Sequence, residues 1–188
     1  MAHFLIIHGT EGSPEGNWFP WLKQKLSANG HTVSVPQFPT PGNQFLSSWI
    51  DTARTVLQTE EPGNTILIGH STGAVAVLHL AELADKPYRA IYSICPFTCN
   101  LGIEKYDRLN ETFINHSLDW EKVKQGALEW QVFAGDNDPY VPLSRSQQVA
   151  QHLQCPIKII PDGGHLNAES GYKQFPELLE SILRLDLN

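Results

Sequence analysis

At 188 residues the chain is long enough for one domain with a sizeable core and too short for two comfortable ones. Its 41% hydrophobic, 18% charged and 10% aromatic residues are ordinary for a soluble globular protein, and no apolar run approaches a membrane span. A net charge of −7 without a basic cluster argues against nucleic acid or an anionic membrane surface as partner.

In chain order, Phe4–Ile7 reads as a strand. It is too short for a signal h-region and lacks a basic n-region, so a cytoplasmic address is expected. Helical character follows over Trp18–Ala28, then a strand at Thr32–Val35 and a loop from Pro36 to Pro41. Gln44–Thr59 has helical periodicity through Phe45, Trp49, Ala53, Val56 and Leu57. Ile66–Ile68 is a short β-branched run, and Ala74–Ala84 is helix-forming. Further strands fall at Arg89–Cys95, Glu129–Ala134 and Ile157–Ile160, with helices within Ser144–Leu153 and Tyr172–Leu185. Continuous apolar strands interleaved with helices mean a parallel sheet covered on both faces, with ligands beyond the carboxyl ends of the strands. Residues 96–126, with Tyr106, Phe113 and Trp120 among charges, read as one or two short helices in a small cap-like insertion. Cys95, Cys99 and Cys155 make an odd number and no disulfide framework; Cys95 and Cys99 read as reduced thiols near a strand end.

The most informative segment is Gly69-His70-Ser71-Thr72-Gly73, between the Ile66–Ile68 strand and the following helix. G-x-S-x-G in that context is a nucleophile elbow, a sharp turn that puts Ser71 in a strained conformation at a helix N-terminus. A Cβ at either glycine would jam strand against helix. A serine nucleophile needs a base, and the base needs an orienter. His165, presented by Gly163-Gly164 after a strand, is the expected base. Asp136 and Asp138 both lie in the loop after the preceding strand. Asp138, followed by Pro-Tyr-Val-Pro, is the preferred orienter, which leaves Asp136 a capping or turn role. The chain order Ser, Asp, His is that of the α/β-hydrolases. Backbone N–H groups of Thr10 and Thr72 are the expected oxyanion donors, with His8 organising the loop after the first strand. His79 is expected to pack on its helix, and His3, His31, His116 and His152 to lie at surfaces or edges.

No histidine pair has H-E-x-x-H spacing, no Cys–His ligand cluster appears, and neither a P-loop nor an opening G-x-G-x-x-G is present. Neither a metal nor another cofactor is expected.

Taken together, H-G-T-x-G-S-P-x-x-N-W-x-P-W-L near the N-terminus, G-H-S-T-G-A, D-x-D-P-Y-V-P and G-G-H-L-N resemble the small α/β-hydrolases of the retinoblastoma-binding protein 9 and YdeN type. The resemblance covers essentially the whole chain. It implies a compact three-layer α/β-hydrolase domain over residues 1–188 with about six mainly parallel strands and little lid. It implies serine hydrolase activity of esterase or peptidase type, with Ser71, Asp138 and His165 matching the family triad. The L-x-C-x-E motif for a retinoblastoma partner is absent, so that partner is not carried over.

Trp18, Phe97 and Tyr140 all fall near the active end of the sheet and suggest a small apolar acyl or aromatic pocket. No basic residue other than Arg108 or Arg145 is a candidate to hold an anionic group there. The expectation is a monomeric or weakly dimeric serine hydrolase cleaving small esters, amides or short peptides through an acyl-enzyme. The competing reading is a non-catalytic, protein-binding member of the same fold, since a fold does not fix a function.

Overall fold

The computed structural model describes residues 1–185. Its centre is a six-stranded sheet of β1 (His3–Ile7), β2 (Thr32–Ser34), β3 (Thr65–His70), β4 (Ala90–Ile94), β5 (Trp130–Gly135) and β6 (Ile157–Ile160). The spatial order is β2-β1-β3-β4-β5-β6, and every pairing is parallel. Registers Ile7↔Gly69, His70↔Ile94 and Gly135↔Ile160 align the carboxyl ends of the central strands along one rim. The loops leaving that rim carry the polar residues singled out above.

Alternation along each strand divides the core in two. Leu5, Ile7, Leu67, Ile91 and Val132 face α2 (Leu46–Leu57), α3 (Thr72–Glu82) and α7 (Leu143–Leu153). Phe4, Ile6, Ile66, Ile68, Tyr92 and Phe133 face α1 (Phe19–Ala28) and α8 (Pro176–Leu183). Helix α3 is apolar nearly all round and buried over most of its length, as the central helix of such a sandwich must be.

Most element ends shift by one or two residues from the sequence reading, and two shifts matter. Helix α3 starts directly at Thr72, so no spacer separates the elbow serine from the first helical turn. Helix α2 starts at Leu46 because Phe45 is extended (φ −120°, ψ 144°), which leaves Gln44 in the preceding loop. Residues 96–126 hold three short helices where one or two were expected: α4 (Glu104–Leu109), α5 (Glu111–Ile114) and α6 (Trp120–Gln125). Asn110 (φ −98°, ψ 4°) breaks the path between the first two. Asp119 caps the third, its carboxylate accepting from the Lys122 N–H. His3, expected at a surface or edge, is buried in β1, where its Nε2 and the Ser34 hydroxyl are 2.9 Å apart. Among the described residues no helix is long and apolar enough to cross a membrane.

The elbow requires close backbone approach. A Cβ on Gly69 would lie 2.2 Å from the Gly73 carbonyl oxygen, and one on Gly73 would lie 2.2 Å from that of Ile7. These obstacles are main chain in the middle of the sheet and cannot swing aside. Gly73→Ala is therefore expected to lower unfolding free energy by about 2 kcal/mol or more, the cost of forced overpacking in a rigid site. Urea titration at neutral pH measures it; an unchanged midpoint would show that β1 and α3 can separate freely.

Candidate active site

Ser71 sits at the junction of β3 and α3 with φ 58° and ψ −120°, a conformation that a residue bearing a side chain rarely adopts. Backbone hydrogen bonds hold it there, among them two short ones. The Ser71 N–H donates to the Ile94 carbonyl at 2.9 Å, and the Ser71 carbonyl accepts from the Ala74 N–H at 2.8 Å, opening the helix. The loop after β1 presses against the serine so closely that a Cβ on Gly9 would meet Ser71 Cβ at 2.9 Å.

His165 lies in the turn after β6. Its Nδ1 is 2.7 Å from Asp138 Oδ2, and the two side chains are 7% and 2% exposed. The other carboxylate oxygen of Asp138 accepts from the N–H groups of Tyr140 (2.8 Å) and Val141 (3.0 Å). Burial by itself would raise the Asp138 pKa. The His165 hydrogen bond and charge, with those two N–H groups, outweigh burial and hold the carboxyl below its usual range. Asp138 is thus an ionised acceptor that orders the loop bearing it and fixes the proton of the imidazole on Nδ1. Asp136 is exposed and instead accepts from the Asp162 N–H at 2.8 Å, stapling its loop to the neighbouring turn.

The histidine turn is anchored from below. His70 Nε2 lies 2.8 Å from the His165 carbonyl, which can only accept, so His70 carries its proton on Nε2. Burial, followed by the charge of His165, pushes the His70 pKa down to about 3, and its imidazole is neutral. His70 occupies a variable position of G-x-S-x-G, and the one sequence signal for its role is a polar side chain ending an apolar strand. His8 behaves as a loop organiser, its Nε2 accepting from the Phe38 N–H (3.0 Å) and its Nδ1 donating to the Gly9 carbonyl (2.9 Å).

A cavity of about 290 Å³ opens above this rim and is lined by Ser71, His165, Thr10, Phe97, Tyr106 and Tyr140 among others. Tyr140 donates its hydroxyl to Glu169 at 2.8 Å, and its ring meets that of His165 edge-on. Trp18, expected to line the pocket, does not reach it and is wholly buried against Phe19, Phe175 and His70. Its ring lies at the start of α1, where the core absorbs it, and Nε1 donates to the Leu166 carbonyl at 3.0 Å, bracing the histidine turn. Neither Arg108 nor Arg145 lines the cavity, and among the described residues no Lys or Arg does. Thr10 borders the cavity. Thr72 lies beneath it as the first residue of α3, so its N–H precedes the helix's own hydrogen bonds. Among the described residues Ser71 Oγ has no hydrogen-bond partner. Nucleophile–base contacts in unliganded hydrolases are often long and tighten on substrate binding.

The fold also gathers a cluster that sequence spacing did not reveal. Ligand-capable atoms of His70, Cys95 and His165 lie within 4.8 Å of one another. Their chemistry does not suit a resident metal. Burial, then the Asp138 carboxylate, drives the Cys95 thiol well above its ordinary pKa, which disfavours the thiolate a metal would need.

This fold and rim geometry are those of an α/β-hydrolase, and the serine hydrolase family model matches residues 4–184; the chain belongs to that family and is a hydrolase. It is 32% identical over 173 residues to the putative hydrolase YdeN of Bacillus subtilis, covering 91% of this chain and 89% of that one. It is 30% identical over 181 residues to the serine hydrolase RBBP9 of Rattus norvegicus, covering 95% and 92% respectively. The crystal structure of the B. subtilis ydeN gene product superposes with a TM-score of 0.89 at 29% identity, over 97% of each chain.

The buried imidazole of His70 has a consequence for stability. An unfolded histidine takes a proton near the ordinary value of 6.5, whereas folded His70 refuses one until about pH 3. Between those values the unfolded chain binds the extra proton, so the contribution is full above 6.5 and is lost as pH falls through that window. Burial lowers the pKa of His8 and His79 as well, with the same sign. The unfolding free energy is expected to drop between pH 7 and pH 5, with at most about 1.4 kcal/mol per pH unit from each such group. His70→Gln is expected to flatten part of that slope in urea titrations at several pH values. An identical slope in the variant would mean that His70 is protonated in the folded protein.

Proposed function

We propose that the protein cleaves small ester, amide or short peptide bonds through an acyl-enzyme on Ser71, with His165 as base and Asp138 as its orienter. The observation that carries the reading is the strained serine of the elbow sharing one cavity with a histidine whose Nδ1 is held 2.7 Å from a buried carboxylate. With the proton fixed on Nδ1, Nε2 is the free acceptor on the cavity side. Ser71 Oγ attacks the scissile carbonyl carbon and passes its proton to His165 Nε2. The N–H groups of Thr10 and Thr72 receive the developing oxyanion. Collapse of the tetrahedral intermediate expels the alcohol or amine with the proton from His165, and a water activated by the same histidine releases the acid.

Size and polarity support small, uncharged acyl groups. A cavity of about 290 Å³ is at the lower limit for ligand sites, and Phe97 and Tyr140 narrow it without a fixed cation. The same reading treats residues 1–188 as one hydrolase domain and the three short helices within 96–126 as its small cap. Such a cap is too short for a lipase-type lid, so water-soluble substrates reach the serine directly.

Ser71→Ala is expected to abolish labelling by a fluorophosphonate probe and to lower turnover of p-nitrophenyl acetate by about 10⁴-fold or more, with the fold intact by circular dichroism. Asp138→Asn is expected to cost about 10³- to 10⁴-fold by favouring the wrong His165 tautomer, and Asp136→Asn far less. Undiminished labelling of Ser71→Ala would refute the nucleophile, and a reversed order of the two aspartates would move the orienter to Asp136.

Activity is expected to fall from acetate to longer p-nitrophenyl esters. Phe97→Ala is expected to shift the preference toward longer chains, each accommodated methylene worth at most about 0.8 kcal/mol. Saturation kinetics across an acyl series measure this; a preference for long chains in the unmodified protein would refute the shallow pocket.

A further inference from the structure

At the wall of the cavity, which Thr10 and Asn110 both line, four segments distant in sequence converge on one oxygen atom. Asn110 Oδ1 lies 2.7 Å from Thr10 Oγ1, 2.9 Å from Thr72 Oγ1 and 2.8 Å from Gln44 Nε2. Thr10 belongs to the loop after β1, Thr72 opens α3, Gln44 precedes α2, and Asn110 separates α4 from α5. Asn110, Gln44 and Thr72 are all buried.

The direction of each amide follows from its partners. The Leu109 carbonyl can only accept, so the Gln44 atom 3.0 Å from it is Nε2. That nitrogen also faces Asn110, whose facing atom must therefore be the acceptor Oδ1. The Gln44 carbonyl, on the other side, accepts from the Thr40 hydroxyl. Thr40 Oγ1 in turn accepts from the Glu11 N–H at 2.7 Å, returning the chain of hydrogen bonds to the loop that bears Thr10. Gln44 Nε2 also lies 2.8 Å from Thr10 Oγ1, so its two hydrogens are shared among three acceptors in a compact, buried cluster.

We infer that Asn110 is the positioning residue of the oxyanion hole: its Oδ1 clamps the side chains of Thr10 and Thr72 and so fixes their two backbone N–H groups relative to each other. The inference rests on the hydrolase reading above. The two donors come from segments 62 residues apart, and their hydroxyls, 2.7 Å from each other, meet at this single acceptor. The Thr10 loop packs on the elbow at Gly9, where a Cβ would meet Ser71 Cβ at 2.9 Å. Side-chain hydrogen bonds add to that close contact the directional restraint that packing alone lacks. Because Asn110 lies between the two short helices over the cavity, the cap takes part in building the hole as well as covering it.

Loss of the clamp is expected to act on the transition state rather than on substrate capture. The test compares Asn110→Ala, Thr72→Val and Thr72→Ser with the unmodified protein. The kcat for p-nitrophenyl acetate is counted per serine titrated by a fluorophosphonate, which removes any unfolded fraction from the comparison. Asn110→Ala and Thr72→Val are expected to lower kcat about 10- to 100-fold with KM within about threefold, as a misplaced oxyanion donor does. Inhibition by phenylboronic acid, which forms a tetrahedral adduct on the serine, is expected to weaken by a similar factor. Thr72→Ser, which restores the hydroxyl, is expected to recover most of what Thr72→Val loses. A labelled wild type with kcat per titrated serine unchanged in Asn110→Ala and Thr72→Val, or a loss confined to KM, overturns the inference alone. A wild type that takes up no probe overturns the hydrolase reading beneath it. If Asn110→Ala does not fold, the Thr72 pair decides by itself.

Discussion

The rest of the structure depends on the contact between the central strands and helix α3 at Gly69 and Gly73, where main chain rests on main chain. With no Cβ on either side, the helix starts within one residue of the strand end, and Ser71 is forced to a positive φ. Such a conformation costs on the order of 1–3 kcal/mol and persists only where the surroundings over-determine it. Here they do so through the Ser71 N–H bond to the Ile94 carbonyl, the start of α3 and the pressure of Gly9. The strain leaves the serine hydroxyl on the cavity side with free helix N–H groups beside it, the geometry an acyl-transfer nucleophile needs.

A second constraint works from the opposite side of the rim. The His165 turn contains three positive-φ residues, Asp162, Gly164 and Leu166, so its path is costly and must be held. Trp18 Nε1 holds the Leu166 carbonyl, His70 Nε2 the His165 carbonyl, Asn137 the Gly164 N–H and Asp136 the Asp162 N–H. Asp138 then needs to orient only the ring. Stability and site geometry meet at His70, since the neutral imidazole that supports the turn is also a group from which acid sensitivity of the fold is expected.

Much of this architecture was legible in the residue pattern. Period and length separate the apolar runs Phe4–Ile7, Ile66–Ile68 and Ile157–Ile160 from the helical stretches, and the interleaving dictates a parallel sheet. G-H-S-T-G with a strand before and a helix after it fixes a sharp turn on local sterics alone. The histidine turn and the two aspartates follow strands, which puts them at one rim before any contact is known. What the pattern misjudged was the destination of individual side chains. Trp18 is expected in the pocket from its place near the active end of the sheet, but sequence position does not say which way a ring turns. The core beneath α1 offered it more burial than the rim. Gln44 was read as helical because its neighbours carry the period, and His70 and Asn110 carried no periodic signal.

The sequence by itself determined the elements, their order, the elbow and the family resemblance, because these rest on short-range sterics and on hydrophobic periods that neighbouring residues share. Only the tertiary structure decided which aspartate faces His165, how small the cavity is, and that Asn110, Gln44, Thr10 and Thr72 meet at one oxygen. Those outcomes depend on hydrogen bonds between segments tens of residues apart. Directional bonds of about 3 Å are set by how whole layers pack, and no local stretch of chain encodes that distance.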